Sequence, residues 1–480
     1  MMATLLDQAP TTVNKVVDSL PFTLTPQQQQ ALAKLRAFLI SPSTFFLLCG
    51  YAGTGKSTIV FQIVKELIAE GTRVVLSAPT NKAVGILKKM AAENGIDTIP
   101  CITVHQLLGL GMVTRGQDKV LEQTSSPSAH LYDVLFLDEC SMVSVELWSW
   151  IERYFEGSLL SRRQLILMGD PAQLNPVGEG RSPSFKVKNR AVLTQVVRQS
   201  FESPILEFVT QARQFVKSKN QFFQPCSYYR TNNKSNGAFK IKQATLLKYA
   251  AKKIQKQFAN NPDCFRILCW TNKRVDYYNQ LIRELIYDKN APRFMPSERL
   301  ITKKPVVAPD GKTVILPTST EVTVIEVALN QHYGYQVWQL KVVTDEGLIR
   351  QIFVLHSSQQ KRYEAELERK LQSAKRNAFL WRKYYWFKDD VFAEVSNCFA
   401  LTIHNSQGST FDQGAVDGND LLTRLFVGEE ESCKQKLKEH NRLWYVGSSR
   451  FRQRVFFISP RDSRVTCLTT KQITGGHNLD

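Results

Sequence analysis

The most informative part of the chain runs Phe45-Phe46-Leu47-Leu48-Cys49 and continues Gly50-Tyr51-Ala52-Gly53-Thr54-Gly55-Lys56-Ser57. The apolar run predicts a buried strand, and the spacing of the apolar residues after Ser57 predicts a helix. Between them, G-x-x-x-x-G-K-S lets successive backbone N–H groups surround phosphate oxygens at a helix N-terminus. The pattern predicts a nucleoside triphosphate site, with Lys56 at the β- and γ-phosphates and Ser57 on Mg²⁺. A glycine-rich turn without a ligand is the alternative.

A second motif supplies the carboxylates that such a site needs. Asp138 and Glu139 end the apolar run Val134–Leu137, and open α/β sheets bind their ligands at the carboxyl ends of strands. Asp138 is predicted to hold Mg²⁺ and Glu139 to polarise water. Alone, the pair would be an ordinary strand end; with the glycine-rich loop it predicts triphosphate hydrolysis. The run from Asn272 to Asp276 resembles a guanine-binding N-K-x-D motif with its Asp one residue late, which favours ATP.

Alternating strand and helix patterns predict an α/β fold with parallel sheets. One set extends from Thr25 to about Gln195, and a second includes strands near Phe265–Trp270, Cys398–Ile403 and Val455–Ile458. Between about residues 292 and 387, β-branched runs with turn signals predict a small inserted antiparallel barrel. A shorter insertion at 109–130 predicts a β-hairpin, in which Leu121 or Met112 would be the apolar wedge against a terminal base pair if the hairpin splits strands. A plain surface hairpin is the alternative.

Composition points to a polyanionic partner. The 480 residues carry 62 Lys and Arg against 43 Asp and Glu, a formal charge of +19, which favours nucleic acid over a membrane surface. A solvated basic surface is the alternative. Nine scattered cysteines predict reduced thiols and a cytoplasmic location, and we predict neither a membrane span nor a secretory signal.

With these motifs in view, the chain resembles superfamily 1 helicases of the 1B branch, Dda-like and RecD-like, from Leu24 to Ile458. The departures include Cys140 in place of a usual Ala and Asn405 in place of a frequent Lys, and they leave the catalytic groups intact. The matching segments, in the family's order, are 24–28 (Q motif), 78–84 (Ia), 103–105 (Ib), 138–142 (II), 169–174 (III), 197–199 (IV), 401–409 (V) and 445–450 (VI).

The resemblance implies two RecA-like parallel-sheet domains with ATP between them, an inserted 1B hairpin and an inserted SH3-like 2B barrel. The implied division is 1–105 and 131–235 for domain 1A, 106–130 for 1B, 236–291 and 389–480 for 2A, and 292–388 for 2B.

It also implies the site residues. Catalysis would use Lys56, Glu139, Gln173, Arg198 and Arg450, with Ser57 and Asp138 on Mg²⁺. ATP would contact Gln28 as the adenine-binding residue, and Gly50, Gly53, Thr54, Gly55, Lys56, Ser57, Thr58 and Gly408. Nucleic acid would contact Pro79, Thr80, Asn81, Thr103, His105, Leu121, Thr402, His404 and Ser406.

Some of these residues have structural alternatives. Arg198 could be a surface arginine paired with Glu202, and Arg450 one member of a basic run. The histidines at 105 and 404 could be core or capping residues. The aromatic and cationic stretch 379–388 could stack bases, brace the hairpin, or form a buried seam.

The expected function is an ATP-dependent 5′–3′ DNA helicase, the direction coming from the resemblance. The expected partners are single-stranded DNA and single-strand/duplex junctions, together with single-strand-binding or replication and repair proteins, and the expected state is a monomer. The alternatives are a RecD-like motor subunit of a repair nuclease complex, a nucleic-acid-stimulated ATPase that remodels nucleoprotein without unwinding, and an enzyme that acts on RNA.

Overall fold

The computed structural model describes residues 24–156, 163–176, 178–197, 204–218, 220–225, 229–230, 236–308, 313–427 and 432–458. The helices in these ranges are α1 Pro26–Ile40, α2 Lys56–Ala69, α3 Asn81–Glu93, α4 Val104–Leu107, α5 Val145–Glu156, α6 Pro204–Val216, α7 Gln243–Gln257, α8 Asn272–Ile286, α9 Gln360–Arg376, α10 Trp381–Tyr385, α11 Gly418–Thr423 and α12 Cys433–Ser449. The strands are β1 Phe45–Gly50, β2 Val74–Ala78, β3 Cys101–Thr103, β4 Leu110–Arg115, β5 Asp118–Gln123, β6 Val134–Leu137, β7 Gln164–Gly169, β8 Arg190–Leu193, β9 Tyr229–Arg230, β10 Gly237–Lys240, β11 Arg266–Cys269, β12 Arg299–Thr302, β13 Val306–Val307, β14 Val314–Leu316, β15 Glu321–His332, β16 Tyr335–Thr344, β17 Ile349–Leu355, β18 Val395–Asn397, β19 Ala400–Thr402, β20 Phe411–Asp417 and β21 Phe451–Ile458.

The first lobe is built on a parallel sheet with the strand order β3-β2-β6-β7-β1-β8. Alternate residues of β1 enter different cores: Phe46 and Leu48 pack with α1, α2 and α3, while Leu47 and Cys49 pack with α5. Both faces are therefore covered, which explains why β1 is an unbroken apolar run. This arrangement brings the ends of β1, β6 and β7 to one edge of the sheet.

The second lobe repeats the architecture with the order β19-β11-β20-β21-β10-β9, parallel except for the β10–β9 pair. Helix α12 packs on one face with α6, and α7 and α8 cover the other. The prediction of an α/β fold with parallel sheets is confirmed.

A third, antiparallel sheet has the order β17-β16-β15-β12-β18 within the described residues. The polar helix α9 follows it, and its aromatic residue Tyr363 packs against the sheet with Phe387. Strands β4 and β5 form a separate two-stranded hairpin with Gly116 and Gln117 at its turn.

The implied domain limits differ from this packing in three places. Strand β9, which the sequence assigns to the first lobe, pairs with β10 in the second-lobe sheet. Helix α6 and Phe223 lie in the core of the second lobe, although the sequence assigns 131–235 to the first. The reason is that the apolar face of α6, including Phe208 and Ala212, is buried against α12. Strand β18 pairs with β12 in the third sheet, although it follows residue 388.

Across the described ranges, no helix combines the length and the apolar character that crossing a membrane requires.

Candidate active site

The glycine-rich loop has the backbone of a phosphate-binding loop. Gly53 and Gly55 adopt φ values of 79° and 81°, a left-handed conformation that glycine tolerates best. Thr54 Oγ1 donates to the carbonyl of Tyr51 at 2.8 Å, and Lys56 Nζ donates to the carbonyl of Gly50 at 2.6 Å. The loop therefore leads directly into α2, with Lys56 and Ser57 in the first turn.

Two positions of the loop favour glycine because neighbouring side-chain atoms lie too close for a Cβ. A Cβ on Gly50 would lie 2.5 Å from Thr54 Oγ1, and one on Gly55 would lie 2.2 Å from Gln28 Nε2. Gln28 is buried beside the loop, and its amide donates to the carbonyl of Thr54 at 3.2 Å while accepting from the N–H of Thr25 at 2.9 Å. The structure thus places the predicted adenine-binding residue next to the loop, with both ends of its amide engaged by the protein.

The carboxylates lie at the end of β6, close enough to the loop for Lys56 to act on both electrostatically. Glu139 has a φ of 52°, which is unusual for a residue other than glycine, and its N–H donates to Asp138 Oδ1 at 2.8 Å. Burial raises the pKa of both carboxyls, and the Asp138 charge raises that of Glu139 further; Arg450 and Lys56 oppose the shift at Glu139. Raised carboxyl pKa values of this kind are typical of catalytic sites.

Gln173 lies behind the carboxylates. Its Oε1 accepts from Ser141 Oγ at 3.1 Å, and its side chain is buried. The end of β7 also needs a glycine, because a Cβ on Gly169 would lie 2.5 Å from the Cys140 sulfur. Cys140 therefore fills the space behind the acidic pair, and burial raises the pKa of its thiol.

A tyrosine of the second lobe contacts the phosphate-binding loop across the crevice between the two lobes. Tyr445, on α12, accepts a hydrogen bond from the N–H of Ala52 at 3.0 Å and donates to Asp170 Oδ2 at 2.5 Å. Its hydroxyl therefore joins the phosphate-binding loop, the end of β7 and the second lobe. Tyr445 is not among the site residues that the resemblance implies, although it begins the matching segment 445–450.

Further contacts tighten the same junction. Tyr51 and Ala52 pack against the core of the second lobe, and the Arg213 guanidinium of α6 lies 4.2 Å from the centre of the Tyr51 ring. This distance is within the range of a cation–π contact. The loop is thus part of the interface between the lobes.

Arg450 faces the same crevice from the end of α12. It is buried, and its guanidinium donates to the Val446 carbonyl at 3.2 Å and to Ser449 Oγ at 3.0 Å. Its charge lowers the pKa of Glu139, so Lys56 and Arg450 act on one carboxylate from opposite lobes. Arg198 lies outside the described residues.

Three predicted nucleic-acid contacts have hydroxyls committed to the fold. Ser406 is fully buried and donates to the Ile403 carbonyl at 2.8 Å. Thr103 and Thr402 are buried, and each hydroxyl accepts a backbone N–H, from Gln106 and Asn405 respectively. Contact of nucleic acid with these three residues stays a prediction, and it would have to coexist with the hydrogen bonds that their hydroxyls form in the local turns.

The other candidates keep accessible surface. Asn81 is exposed, and Pro79, Thr80, His105 and His404 are half-buried; Thr80 also caps α3 by accepting from Ala83 N–H at 3.2 Å. Burial lowers the pKa of both histidines, so at neutral pH they are uncharged imidazoles.

Gly408, predicted to contact ATP, lies on the seam between the lobes. A Cβ added to it would lie 3.4 Å from Ile86 Cδ1 and 3.6 Å from Ala83 Cα, both on α3. At this seam Lys82 Nζ also approaches Glu321 of β15 to 3.5 Å. Helix α3 therefore touches both the second lobe and the third sheet.

The β4–β5 hairpin is braced from outside the first lobe. Tyr385 Oη donates to the Gln117 carbonyl at the hairpin turn at 2.5 Å, and Lys119 pairs with Asp389 at 2.6 Å. Leu121 packs against the first-lobe core, whereas its cross-strand partner Met112 is 62% exposed. The structure therefore leaves Met112, and not Leu121, as the accessible apolar side chain of that pair.

The segment from Asn272 to Asp276, which resembles a guanine-binding motif, has a structural role at the start of α8. Thr271 caps α8, Arg274 pairs with the buried Asp417 at 2.6 Å, and Asp276 pairs with Lys303 at 2.8 Å. These side chains hold α8 in the second lobe, in agreement with the choice of ATP over GTP.

Comparisons with known proteins agree with this architecture. Residues 23–217 match the model of the AAA domain family. The ATP-dependent DNA helicase dda of Enterobacteria phage T4 is 26% identical over 443 residues, covering 85% of this chain and 93% of that protein. The chain is therefore similar to Dda-like and RecD-like helicases.

Two further matches extend the comparison. The ATP-dependent RecD2 DNA helicase of Deinococcus radiodurans is 31% identical over 170 residues, which cover 34% of this chain and 20% of that protein. Among solved structures, the Bacteroides Pif1 helicase in complex with ADP-AlF3 and ssDNA is 17% identical with a TM-score of 0.46, covering 93% of this chain and 96% of that one.

Proposed function

We propose that this chain is an ATP-dependent DNA helicase that moves 5′ to 3′ along single-stranded DNA and separates duplex strands. The observation that carries the proposal is the junction at Tyr445, whose hydroxyl joins the Ala52 N–H of the phosphate-binding loop to Asp170. Because the loop and α12 belong to different lobes, a change at the triphosphate can alter how the lobes meet. The similarity to dda along most of both chains supports the same conclusion.

In the proposed hydrolysis, Lys56 and the loop amides bind the phosphates, and Glu139 orients and polarises the attacking water. Gln173 senses the γ-phosphate, and Arg450 stabilises charge on the transferred group. Arginine suits the last role because its planar fork bridges oxygens, and such arginines are worth roughly 10³–10⁵ in rate. Arg198 would add a second guanidinium.

The residues at the end of β6 suit Mg²⁺, which prefers oxygen ligands and retains several waters. Ser57 is exposed in the first turn of α2, and Asp138 has one oxygen occupied by the Glu139 N–H, which leaves the other for a ligand. Ser57 and Asp138 would hold the ion, whose charge would neutralise the phosphate oxygens.

For DNA, we propose a path across both lobes that uses Pro79, Thr80, Asn81, His105 and His404. Neutral imidazole, amide and hydroxyl groups position a strand without recognising its sequence. The β4–β5 hairpin would be the strand-separating pin, with Met112 as its exposed wedge and the contacts of Tyr385 and Asp389 as its brace.

We retain the proposed division into 1A, 1B, 2A and 2B, in which 2B is an SH3-like barrel. Two limits are adjusted. Residues 204–225 and strand β9 join 2A, because α6 packs there and β9 pairs with β10, and β18 joins 2B because it pairs with β12. The monomeric state, the cytoplasmic location and the replication or repair partners remain predictions.

The test is unwinding of duplexes that carry either a 5′ or a 3′ single-stranded tail. We expect ATP-dependent separation of the 5′-tailed substrate by the native chain and none by Lys56→Ala. Separation of only the 3′-tailed substrate would overturn the direction. DNA-stimulated hydrolysis without separation of either substrate would overturn the helicase proposal in favour of a remodelling ATPase.

A further inference from the structure

A strongly basic surface beside the hairpin is not used by the proposed function. The segment 369–388 contains seven Lys and Arg residues and no Asp or Glu. It comprises the end of α9, the turn Ala378–Leu380 and α10. We call its exposed basic residues, Lys375, Arg376, Arg382 and Lys383, the cationic tip.

The charges of the cationic tip have no partner of opposite charge among the residues that the structure describes. All four side chains are exposed, and none of them forms an ion pair with any residue in the described ranges. By contrast, Lys370 lies beside Glu366 at 3.0 Å and above the Phe387 ring at 4.6 Å. Four unpaired cations on about two turns of chain create a local positive potential that attracts a polyanion.

The same surface has an apolar projection and a recess. Phe379 is 92% exposed in the middle of the cationic tip. Beside it, a cavity of about 410 Å³ is lined by Arg369, Lys370, Lys383 and Tyr384, and also by Glu366, which pairs with Lys370 at 3.0 Å. Because Lys370 offsets the Glu366 charge, the exposed Arg369 and Lys383 remain available to phosphate groups at this recess.

The position of the cationic tip selects the ligand. Helix α10 ends at Tyr385, whose hydroxyl holds the hairpin turn at Gln117, and the Asp389 side chain pairs with Lys119 of β5. The cationic tip is therefore attached to the same brace as the hairpin. A surface beside a strand-separating pin faces DNA that is still paired, since the strands part only at the pin.

We propose that the cationic tip binds the phosphate backbone of the duplex ahead of the single-strand junction. The proposal rests on the assignment of the β4–β5 hairpin as the pin. Double-stranded DNA carries one negative charge per roughly 1.7 Å of helix axis, so cations spaced along a helix end and a turn can meet several phosphates. An acidic protein segment, with an apolar side chain near Phe379, is the competing ligand.

Counterion release sets the size of the expected effect. Each neutralised phosphate contributes a slope of about −0.9 to the dependence of log K on log salt. Removing two cations should therefore reduce the slope for duplex by about 2. At roughly 0.1 M salt, the affinity should fall by about 10- to 60-fold.

The test compares Arg382→Ser/Lys383→Ser with Lys252→Ser/Lys256→Ser. The control pair is exposed on α7 of the second lobe and removes the same charge. Binding to a blunt duplex, to a 5′-tailed duplex and to the single-stranded tail alone is measured over a range of salt concentrations. We expect the tip variant to lose affinity for both duplexes, while its affinity for the tail and its DNA-stimulated ATPase activity stay within about twofold of the native chain.

Unchanged duplex binding, or an equal loss for tail and duplex, would overturn the proposal. If duplex binding is unchanged and the variant instead loses binding of a glutamate-rich peptide ending in phenylalanine, the ligand of the cationic tip is an acidic protein. Blunt-duplex binding needs no unwinding, so it tests the cationic tip even if the native chain fails to separate strands. Failure of the native chain on both tailed substrates would instead count against the proposed helicase function.

Discussion

Replacing Tyr445 with phenylalanine should uncouple the lobes while leaving each of them folded. The ring is buried in the second-lobe core, and Phe keeps its packing. Only the hydroxyl is lost, which leaves the Ala52 N–H without its acceptor and Asp170 Oδ2 without its donor. Asp170 Oδ1 still accepts from the Ala172 N–H at 2.8 Å.

The cost follows from those two bonds. A hydrogen bond to a charged group contributes about 1.5–3 kcal/mol, and a neutral one about 1 kcal/mol. Since the Ala52 N–H can regain water when the lobes separate, we expect a loss of about 2–3 kcal/mol from the contact between lobes. This corresponds to a shift of roughly 30- to 150-fold toward separated lobes.

The assay combines ATP turnover at saturating single-stranded DNA with an inter-lobe distance from fluorescence energy transfer. Turnover should fall by about tenfold or more, because Arg450 lies on the same helix and acts on Glu139 only when the lobes meet. The matched control is Tyr278→Phe, whose hydroxyl donates to the buried Asp417 at 2.9 Å entirely within the second lobe. That control should lower the unfolding temperature without changing the inter-lobe distance. If Tyr445→Phe retains native turnover and the native distance, the assigned coupling is incorrect.

Three further outcomes are expected. Lys56→Ala should reduce ATP hydrolysis by about 10²-fold or more while the protein still folds, because the side chain serves the ligand and otherwise bonds the loop carbonyls of Gly50 and Tyr51; hydrolysis at the native rate would reject the site. Chelation of divalent ions should stop hydrolysis, and added Mg²⁺ should restore it, while Asp138→Asn should raise the Mg²⁺ concentration needed for half-maximal turnover. Met112→Ala should slow strand separation and leave DNA-stimulated hydrolysis intact, whereas Leu121→Ala should lower the free energy of unfolding by about 1 kcal/mol, since Leu121 is half-buried; the reverse pattern would restore Leu121 as the wedge.

Much of the site was accessible from the sequence because its chemistry is local. The turn from β1 into α2, its left-handed glycines and the acidic pair at the end of β6 each depend on residues within a few positions of one another. The same holds for the parallel sheets, since apolar runs of strand length alternate with helical spacing. Such patterns can be recognised without knowledge of the partners.

Competition for hydrogen bonds could not be judged in this way. Thr103, Thr402 and Ser406 lie in segments that match helicase motifs, yet each hydroxyl is used to cap a local turn. Leu121 and Met112 are both apolar and lie opposite each other on the hairpin. Only the position of the first-lobe core distinguishes the half-buried Leu121 from the exposed Met112. Similarly, α6 belongs to the second lobe because its apolar face packs against α12.

The local motifs and their order were sufficient to predict triphosphate chemistry on a two-sheet α/β scaffold. Which groups act together across the crevice depended on folding, because Ala52 and Tyr445 are 393 positions apart in the chain. No short-range pattern encodes such a contact. It arises when two separately buried cores dock and leave one hydroxyl between an N–H and a carboxylate.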